Sequence, residues 1–205
     1  MLKKIWKCIA SFVVLCIACC FVNTKAGAVD GAEINIVAEI SIHSFGDWLI
    51  KEMGHSFLAI KNTSSRGLYV GKKYVPKGTT VTIGNWGNMK QHIGLWYNLE
   101  QYTTTSYEIV SLHSILSDNE LDTLNEYILE HDWWTWEYNC TTFAAEAWNL
   151  NSSYKFYFSD TPYPIDLCNK MKSYSTYQKN VDLDISMASG YFNGNTFVQA
   201  IGIRA

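Results

Sequence analysis

A cysteine at the predicted start of a helix is the feature of this sequence best suited to chemistry. Cys140 follows Asn139 in the stretch 138–149, where Phe143 and Ala147 are spaced by four residues, as on one helix face. The unpaired N–H groups and the positive dipole end of a helix N-terminus favour a thiolate over a thiol. The thiolate is the nucleophilic form. The sequence therefore predicts a nucleophile at Cys140, provided that another residue activates it.

Five histidines compete for the role of base beside this thiol, since imidazole is the usual partner of a catalytic cysteine near neutral pH. Three of them have a structural explanation at the end of a predicted strand or helix: His43, His113 and His131. His55 differs because it begins an apolar strand directly after a glycine, where its ring would project at a sheet edge. A structural or a chemical role fits that position. His92, in a loop rich in glycine and tryptophan, is the second candidate.

Two short motifs, in this order, resemble those of a known enzyme superfamily. Gly54-His55-Ser56-Phe57-Leu58-Ala59-Ile60 is followed much later by Asn139-Cys140-Thr141-Thr142-Phe143-Ala144. Together they resemble the circularly permuted branch of the NlpC-type papain-like superfamily, which includes lecithin retinol acyltransferase-like proteins and permuted bacterial amidases. In that branch the strand histidine precedes the helix cysteine, so the papain order is reversed.

The resemblance implies an α+β fold with a permuted papain-like core, in which an antiparallel sheet packs against the helix that carries the cysteine. It also implies that Cys140 is the nucleophile and that His55 deprotonates it and later protonates the leaving group. The Cys140 backbone N–H and a neighbouring donor would hold the oxyanion. The implied activity is that of a thiol hydrolase or acyltransferase on an amide or ester bond, acting through a thioester on a peptide or acyl substrate. No cofactor is implied, and cell-wall peptide is the first substrate class to test.

The third polar residue of such a site, which orients the imidazole, has no clear equivalent in the sequence. The resemblance places it on the strand after the histidine strand. The segment 67–75 offers Tyr69 there, but no His, Asn or Gln at an obvious inward position. Asn62 and Asn85 are possible substitutes. The role therefore stays unassigned, and without such a residue nothing would fix the direction of the ring.

Aromatic residues are abundant on either side of these motifs and predict a substrate groove. The segment 84–100 is rich in Gly, Asn and Trp, has no clear period, and is expected to form a long structured loop. The predicted walls of the groove come from this loop and from the segment before the cysteine: Trp86, His92, Trp96, Trp134 and Trp136. The alternative is that many of these rings fill the core.

The remaining elements follow from hydrophobic periodicity and turn signals. Strands are predicted at 34–42, 55–62, 67–75 (as the hairpin partner of 55–62), 79–83 and 107–112. Ser117 and Glu120 make a capping-box signature for a helix that ends near His131. A further helix is predicted at about 165–174, and Asn193-Gly194 predicts a hairpin turn in the tail.

The first 28 residues are typical of a secretory signal peptide. Lys3, Lys4 and Lys7 precede the apolar run 9–22, which leads to a small-residue cleavage pattern at Ala28. A retained anchor is the alternative, but the run is short for a bilayer span. A lipobox at 15–19 matches poorly. The prediction is a secreted or cell-envelope protein whose residues 29–205 form one domain with a C-terminal extension and no stable membrane span.

Charge and cysteine content narrow the partners further. The leader contains four lysines and no acidic residue, so its removal changes the formal net charge from −3 to −7, which argues against nucleic acid as a partner. Only Cys140 and Cys168 would remain, and they could form one disulfide bridge. No close His or Cys pairs predict a metal site. The alternative to an enzyme is a secreted, non-catalytic binding module with an aromatic groove on the same fold.

Overall fold

The structure is a computed structural model that describes residues 34–50, 53–102 and 107–201. The signal peptide predicted at residues 1–28 lies outside these residues. In the part of the chain that is described, no helix has both the length and the hydropathy needed to cross a membrane.

An antiparallel sheet of eight strands forms the framework of the described residues. Its strands are β1 (Ile36–Gly46), β2 (Gly54–Asn62), β5 (Thr80–Trp86), β6 (Gly94–Tyr97), β7 (Val110–Ser117), β8 (Gln178–Lys179), β9 (Gly190–Asn193) and β10 (Thr196–Gln199). Their order across the sheet is β10-β9-β6-β5-β2-β1-β7-β8. A separate hairpin contains β3 (Leu68–Val70) and β4 (Lys73–Val75). The coarse prediction of an α+β fold with an antiparallel sheet is confirmed.

The centre of the sheet is built from the two strands with the most regular apolar patterns. Ile42 of β1 lies opposite Leu58 of β2 on one side and opposite Leu112 of β7 on the other, and all three side chains are fully buried. Strands β1 and β2 are buried on both faces over most of their length. The alternation of polar and apolar residues that predicted β1 at 34–42 therefore matches the burial of only its first residues. The strand continues to Gly46.

In the described residues, three α-helices cover the sheet: α1 (Asp118–Glu130), α2 (Cys140–Asn151) and α3 (Pro164–Met171). The predicted capping box starts α1, since the Ser117 side chain accepts from the Glu120 N–H while the Glu120 carboxylate accepts from the Ser117 N–H. Helix α2 packs on β2 and β5, and α3 packs on β1, β2 and β7. Phe143 and Trp148 bring α2 into the core with almost no exposed surface. These contacts fix the N-terminus of α2 against the start of β2.

Two predicted elements differ in the structure. The segment 67–75 is not the partner of β2, because it folds back on itself at Gly71 (φ 54°) to make the β3–β4 hairpin. The neighbours of β2 are β1 and β5.

The segment 84–100 is not one long loop, since it contains the end of β5, all of β6 and the start of a 3-10 helix, Leu99–Tyr102. All four residues of β6 are buried, so this strand has no polar–apolar alternation to reveal it.

The predicted tail hairpin is confirmed as β9 and β10, which turn at Gly194 (φ 60°). The pair joins the large sheet where Gly190 lies opposite Tyr97 of β6.

Candidate active site

Cys140 is the first residue of α2, as the sequence predicts. The Asn139 side chain caps the helix by accepting from the backbone N–H groups of Thr141 at 2.8 Å and Thr142 at 3.2 Å. Its amide group donates to the carbonyls of Trp136 and Pro162. The side-chain oxygen of Asn139 serves the helix start and its amide group binds backbone carbonyls outside the helix, so Asn139 has a capping role. Cys140 itself keeps a backbone N–H without an intrahelical acceptor, as the first residue of any helix does.

The imidazole of His55 and the thiol of Cys140 shift each other's pKa, through hydrogen bonding and through charge. His55 is 3% exposed at the start of β2, where it lies opposite Phe45 of β1. The backbone N–H of the next residue, Ser56, also lowers the pKa of Cys140. Two groups from the start of β2 thus favour the thiolate of Cys140, a partly exposed residue. The structure brings together the two residues that the sequence singles out.

Glu100 is a second partner of the imidazole, a contact that the sequence does not predict. His55 Nε2 lies 3.1 Å from Glu100 Oε1, and both side chains are buried. The three side chains form the series Cys140–His55–Glu100, the arrangement in which an acidic or amide group fixes the direction and tautomer of a catalytic imidazole.

A turn at Asn98 brings Glu100 back over the sheet. Asn98 has a positive φ of 58°, and its N–H donates to the Thr82 carbonyl at 3.0 Å. The Asn98 side chain accepts from the Thr82 N–H at 2.9 Å. These two hydrogen bonds hold the end of β6 against the middle of β5. The 3-10 helix that follows places Glu100 beside His55. Among residues 53–107, Glu100 is the only acidic residue, which is the one sequence signal that could have identified it.

The three candidates for the orienting residue have other partners in the structure. Asn62 donates to the carbonyls of Arg66 and Val75 and so organises the turn after β2. Tyr69 is 57% exposed on β3, against the ring of Tyr74. The third candidate, Asn85, donates to backbone carbonyls in the segment before α2. The side chains that raise the pKa of His55 are instead those of Cys140 and Glu100.

The electrostatics of the pair favour an ion pair of thiolate and imidazolium. Burial by itself lowers the pKa of His55, but the hydrogen bonds and charges of Cys140 and Glu100 outweigh it and raise this pKa to about 9. Burial by itself raises the pKa of Cys140, but the hydrogen bond and charge of His55, with donors from Ser56 and Thr141, lower it overall. A lowered thiol pKa beside a raised imidazole pKa is the condition for a reactive cysteine.

The second cysteine is neither bridged nor activated. Cys140 and Cys168 are both free, so the predicted alternative of a disulfide is wrong in this structure. Cys168 is 2% exposed among core residues of α3, and burial raises the pKa of its thiol. It therefore makes a natural internal control for Cys140. Within the described ranges, no group of three or more His, Cys, Asp or Glu side chains could hold a metal ion.

The predicted groove residues divide into different environments. Trp86 lies beside the candidate site, because the centroid of its ring is 3.9 Å from the centroid of the His55 ring. Trp134 packs over Gly87, next to the 75% exposed Trp136. Trp96, by contrast, is fully buried in β6, so its place in a groove wall is wrong.

The other histidines have structural roles. His92 is hydrogen-bonded to Asp132 at 2.7 Å and stacked on Tyr191. Burial and the neighbouring His113 lower the pKa of His43 to about 3, so that the ring is neutral in the sheet. His55 is therefore the histidine with both a thiol and a carboxyl group as partners.

The chain matches no family model, no curated protein sequence and no solved structure. The function is therefore inferred from the site itself.

Proposed function

We propose that this protein is a thiol hydrolase or acyltransferase that acts on an amide or ester bond through Cys140, His55 and Glu100. The observation that supports this most directly is the His55 imidazole, held between a thiol at a helix N-terminus and a buried carboxyl group. Each contact lowers the energy of the thiolate–imidazolium form. A cysteine with a purely structural role needs neither contact.

The reaction would begin with attack of the Cys140 thiolate on the substrate carbonyl, which forms a C–S bond and a tetrahedral oxyanion. The backbone N–H of Cys140, which has no acceptor within the helix, would donate to that oxyanion. The His55 imidazolium then gives its proton to the leaving amine or alcohol as the C–N or C–O bond breaks, and a thioester remains. The neutral imidazole next takes a proton from water, or from an acceptor alcohol or amine, as that molecule attacks the thioester carbonyl. The C–S bond then breaks, the acyl group leaves as an acid, ester or amide, and the thiolate–imidazolium pair is restored.

The order of the elements supports a permuted papain-like core as the finer description of the fold. The histidine strand β2 precedes the cysteine helix α2 in the chain, and α2 packs directly against β2 and β5. Export by the leader and action on cell-wall peptide belong to the same proposal. They derive from the sequence motifs and the family resemblance.

The binding-module alternative drew its support from the apparent lack of a residue to orient the imidazole. Glu100 supplies a group in that position, 3.1 Å from His55. Cys140 and Glu100 together raise the pKa of His55, and a binding surface would not require that increase. These contacts favour the enzymatic proposal over the binding module.

A small activated ester tests the proposal without knowledge of the natural substrate. p-Nitrophenyl acetate should release a burst of p-nitrophenolate and leave an acetyl group on Cys140, which mass spectrometry of the digested protein locates. Cys140→Ala and His55→Gln should abolish both signals, whereas Cys168→Ala should keep them. Acetylation of Cys168 at a rate equal to that of Cys140, or a burst that survives Cys140→Ala, would rule out the proposed nucleophile.

A further inference from the structure

Strand β5 presents three alternate residues to the contact between His55 and Glu100. Because successive side chains of a strand point to opposite faces, Thr82, Gly84 and Trp86 lie on one face of the sheet. These three residues lie next to the carboxyl group of Glu100, and each one has a different relation to the contact between Glu100 and His55.

Thr82 and Trp86 supply donors to the carboxyl group. The Thr82 hydroxyl donates to Glu100 Oε2, and the Trp86 indole N–H donates to Oε1 at 3.4 Å. With His55 on Oε1 as well, both oxygens of a group that is only 8% exposed have partners. A buried carboxyl group without such donors would carry a large desolvation cost and would have no fixed direction.

Gly84 provides the space in which the two functional groups meet. A Cβ atom at this position would lie 2.5 Å from Glu100 Oε1 and 2.5 Å from His55 Nε2. Real Cβ atoms do not approach other heavy atoms so closely, so any other residue would force the two groups apart. The backbone of Gly84 does not have a positive φ, and the requirement for glycine here is therefore one of space.

Trp86 also covers the outer side of the pair. Its ring lies 3.9 Å from the imidazole of His55 at a tilt of 34°, and it is partly exposed. The indole thus stands between the hydrogen bond of His55 with Glu100 and solvent, and exclusion of water strengthens such a bond.

We propose that Thr82, Gly84 and Trp86 form a positioning motif that holds Glu100 against His55 and so sets the reactivity of Cys140. This inference rests on the proposed function and adds three residues that would act through the contact between Glu100 and His55. In sequence terms the motif is Thr-x-Gly-x-Trp on one strand. The threonine donates to the Glu100 carboxyl group, the glycine leaves space for it, and the tryptophan donates to it and packs on His55.

The test compares substitutions within the motif by the pH profile of Cys140 alkylation, measured with iodoacetamide and mass spectrometry. Thr82→Val removes the hydroxyl at nearly constant shape and should slow alkylation at pH 6 about 10-fold or more, because a hydrogen bond to a charged group is lost. Thr82→Ser keeps the hydroxyl and should restore the wild-type profile. Thr80→Val, two residues earlier on the same face, is the matched control and should leave the profile unchanged.

Gly84→Ala and Trp86→Phe extend the test to the other two positions. Gly84→Ala should move the low-pH limb of the profile toward that of an ordinary thiol, and Trp86→Phe should do so to a smaller extent. Thermal unfolding identifies a variant that fails to fold. If Gly84→Ala or Trp86→Phe does not fold, the comparison of Thr82→Val with Thr82→Ser tests the positioning motif.

The outcomes separate this inference from the proposed function. If wild-type Cys140 has the profile of an ordinary thiol and forms no acetyl-enzyme, the proposed function is wrong. If wild-type Cys140 is activated but Thr82→Val behaves like Thr80→Val, the positioning motif is wrong and the proposed function stands. A Thr82→Ser variant as slow as Thr82→Val would also overturn the motif, since the hydroxyl would then not be the group that matters.

Discussion

Replacement of Glu100 by glutamine should suppress the reactivity of Cys140, although Glu100 does not contact the thiol. The substitution keeps the size of the side chain and removes the negative charge beside His55 Nε2, 3.1 Å away. Without that charge the imidazolium is less stable, and the thiolate loses its partner. The equilibrium should then move from the ion pair toward neutral thiol and imidazole.

The size of the effect follows from the pKa of His55, which its surroundings raise from 6.5 to about 9. That increase corresponds to about 3 kcal/mol in favour of the charged ring, net of the opposing effect of burial. Cys140 and Glu100 share the contribution, and a hydrogen bond to a charged group is worth about 1.5–3 kcal/mol. Loss of the Glu100 charge should therefore slow alkylation of Cys140 at pH 6 by about 10- to 100-fold.

The dependence on pH has a definite sign for each member of the pair. The lowered pKa of Cys140 means that thiolate persists below the ordinary thiol range and is lost only as the pH falls through the lowered value. The raised pKa of His55 means that imidazolium persists up to about pH 9 and is lost above it. Alkylation, which needs only thiolate, should stay fast above pH 9. Turnover of an ester or amide, which also needs an acid, should decline there.

The assay is the rate of iodoacetamide labelling from pH 5 to pH 10 in a Cys168→Ala background, followed by mass spectrometry on the peptide that contains Cys140, so that the rate measured is that of Cys140 alone. Asp132→Asn is the matched control, since Asp132 makes a similar contact with His92 at 2.7 Å, a pair that involves neither Cys140 nor His55. The Glu100→Gln and wild-type rates should converge at high pH. Superimposed profiles of Glu100→Gln and wild type, or an equal displacement by Asp132→Asn, would refute the reasoning.

The remaining predictions concern stability. Asn139→Ala should lower the free energy of unfolding by about 1–2 kcal/mol in denaturant titration, because two backbone N–H groups at the start of α2 lose their cap; no loss would show that the cap is dispensable. Trp96→Ala should cost about 3–5 kcal/mol because the side chain is fully buried. Trp136→Ala, at a side chain that is 75% exposed, should change stability by less than about 0.5 kcal/mol. Equal losses for the two tryptophans would contradict their assigned environments.

Local features of the chain were predictable from the sequence. The capping box of Ser117 with Glu120 and the Asn139 cap of α2 each depend on residues within three positions of one another, so the sequence pattern and the structure coincide. The tail hairpin at Gly194 is confirmed for the same reason. The alternation of β1 and the apolar run of β2 also predicted the two central strands, because burial determines their composition directly.

Features that depend on strand pairing were not predictable in this way. β6 is a short strand with both faces buried, and it resembles a loop until its pairing with β5 is known. The segment 67–75 has strand-like composition, but only the structure shows that it pairs within itself. Trp96 and Trp136 are both tryptophans in aromatic segments, and tertiary packing alone makes the first a core residue and the second a surface residue.

The candidate site shows the same division. The sequence by itself identified Cys140 from the start of its helix and His55 from the start of its strand, because both positions have local signatures. Glu100 lies 45 residues beyond His55, in a 3-10 helix, and the one sequence signal for it is the lack of any other acidic residue in the segment 53–107. Its position depends on the pairing of β5 with β6 and on the turn at Asn98. The tertiary structure thus decided which carboxyl group faces the imidazole, because strand register and one tight turn set that distance.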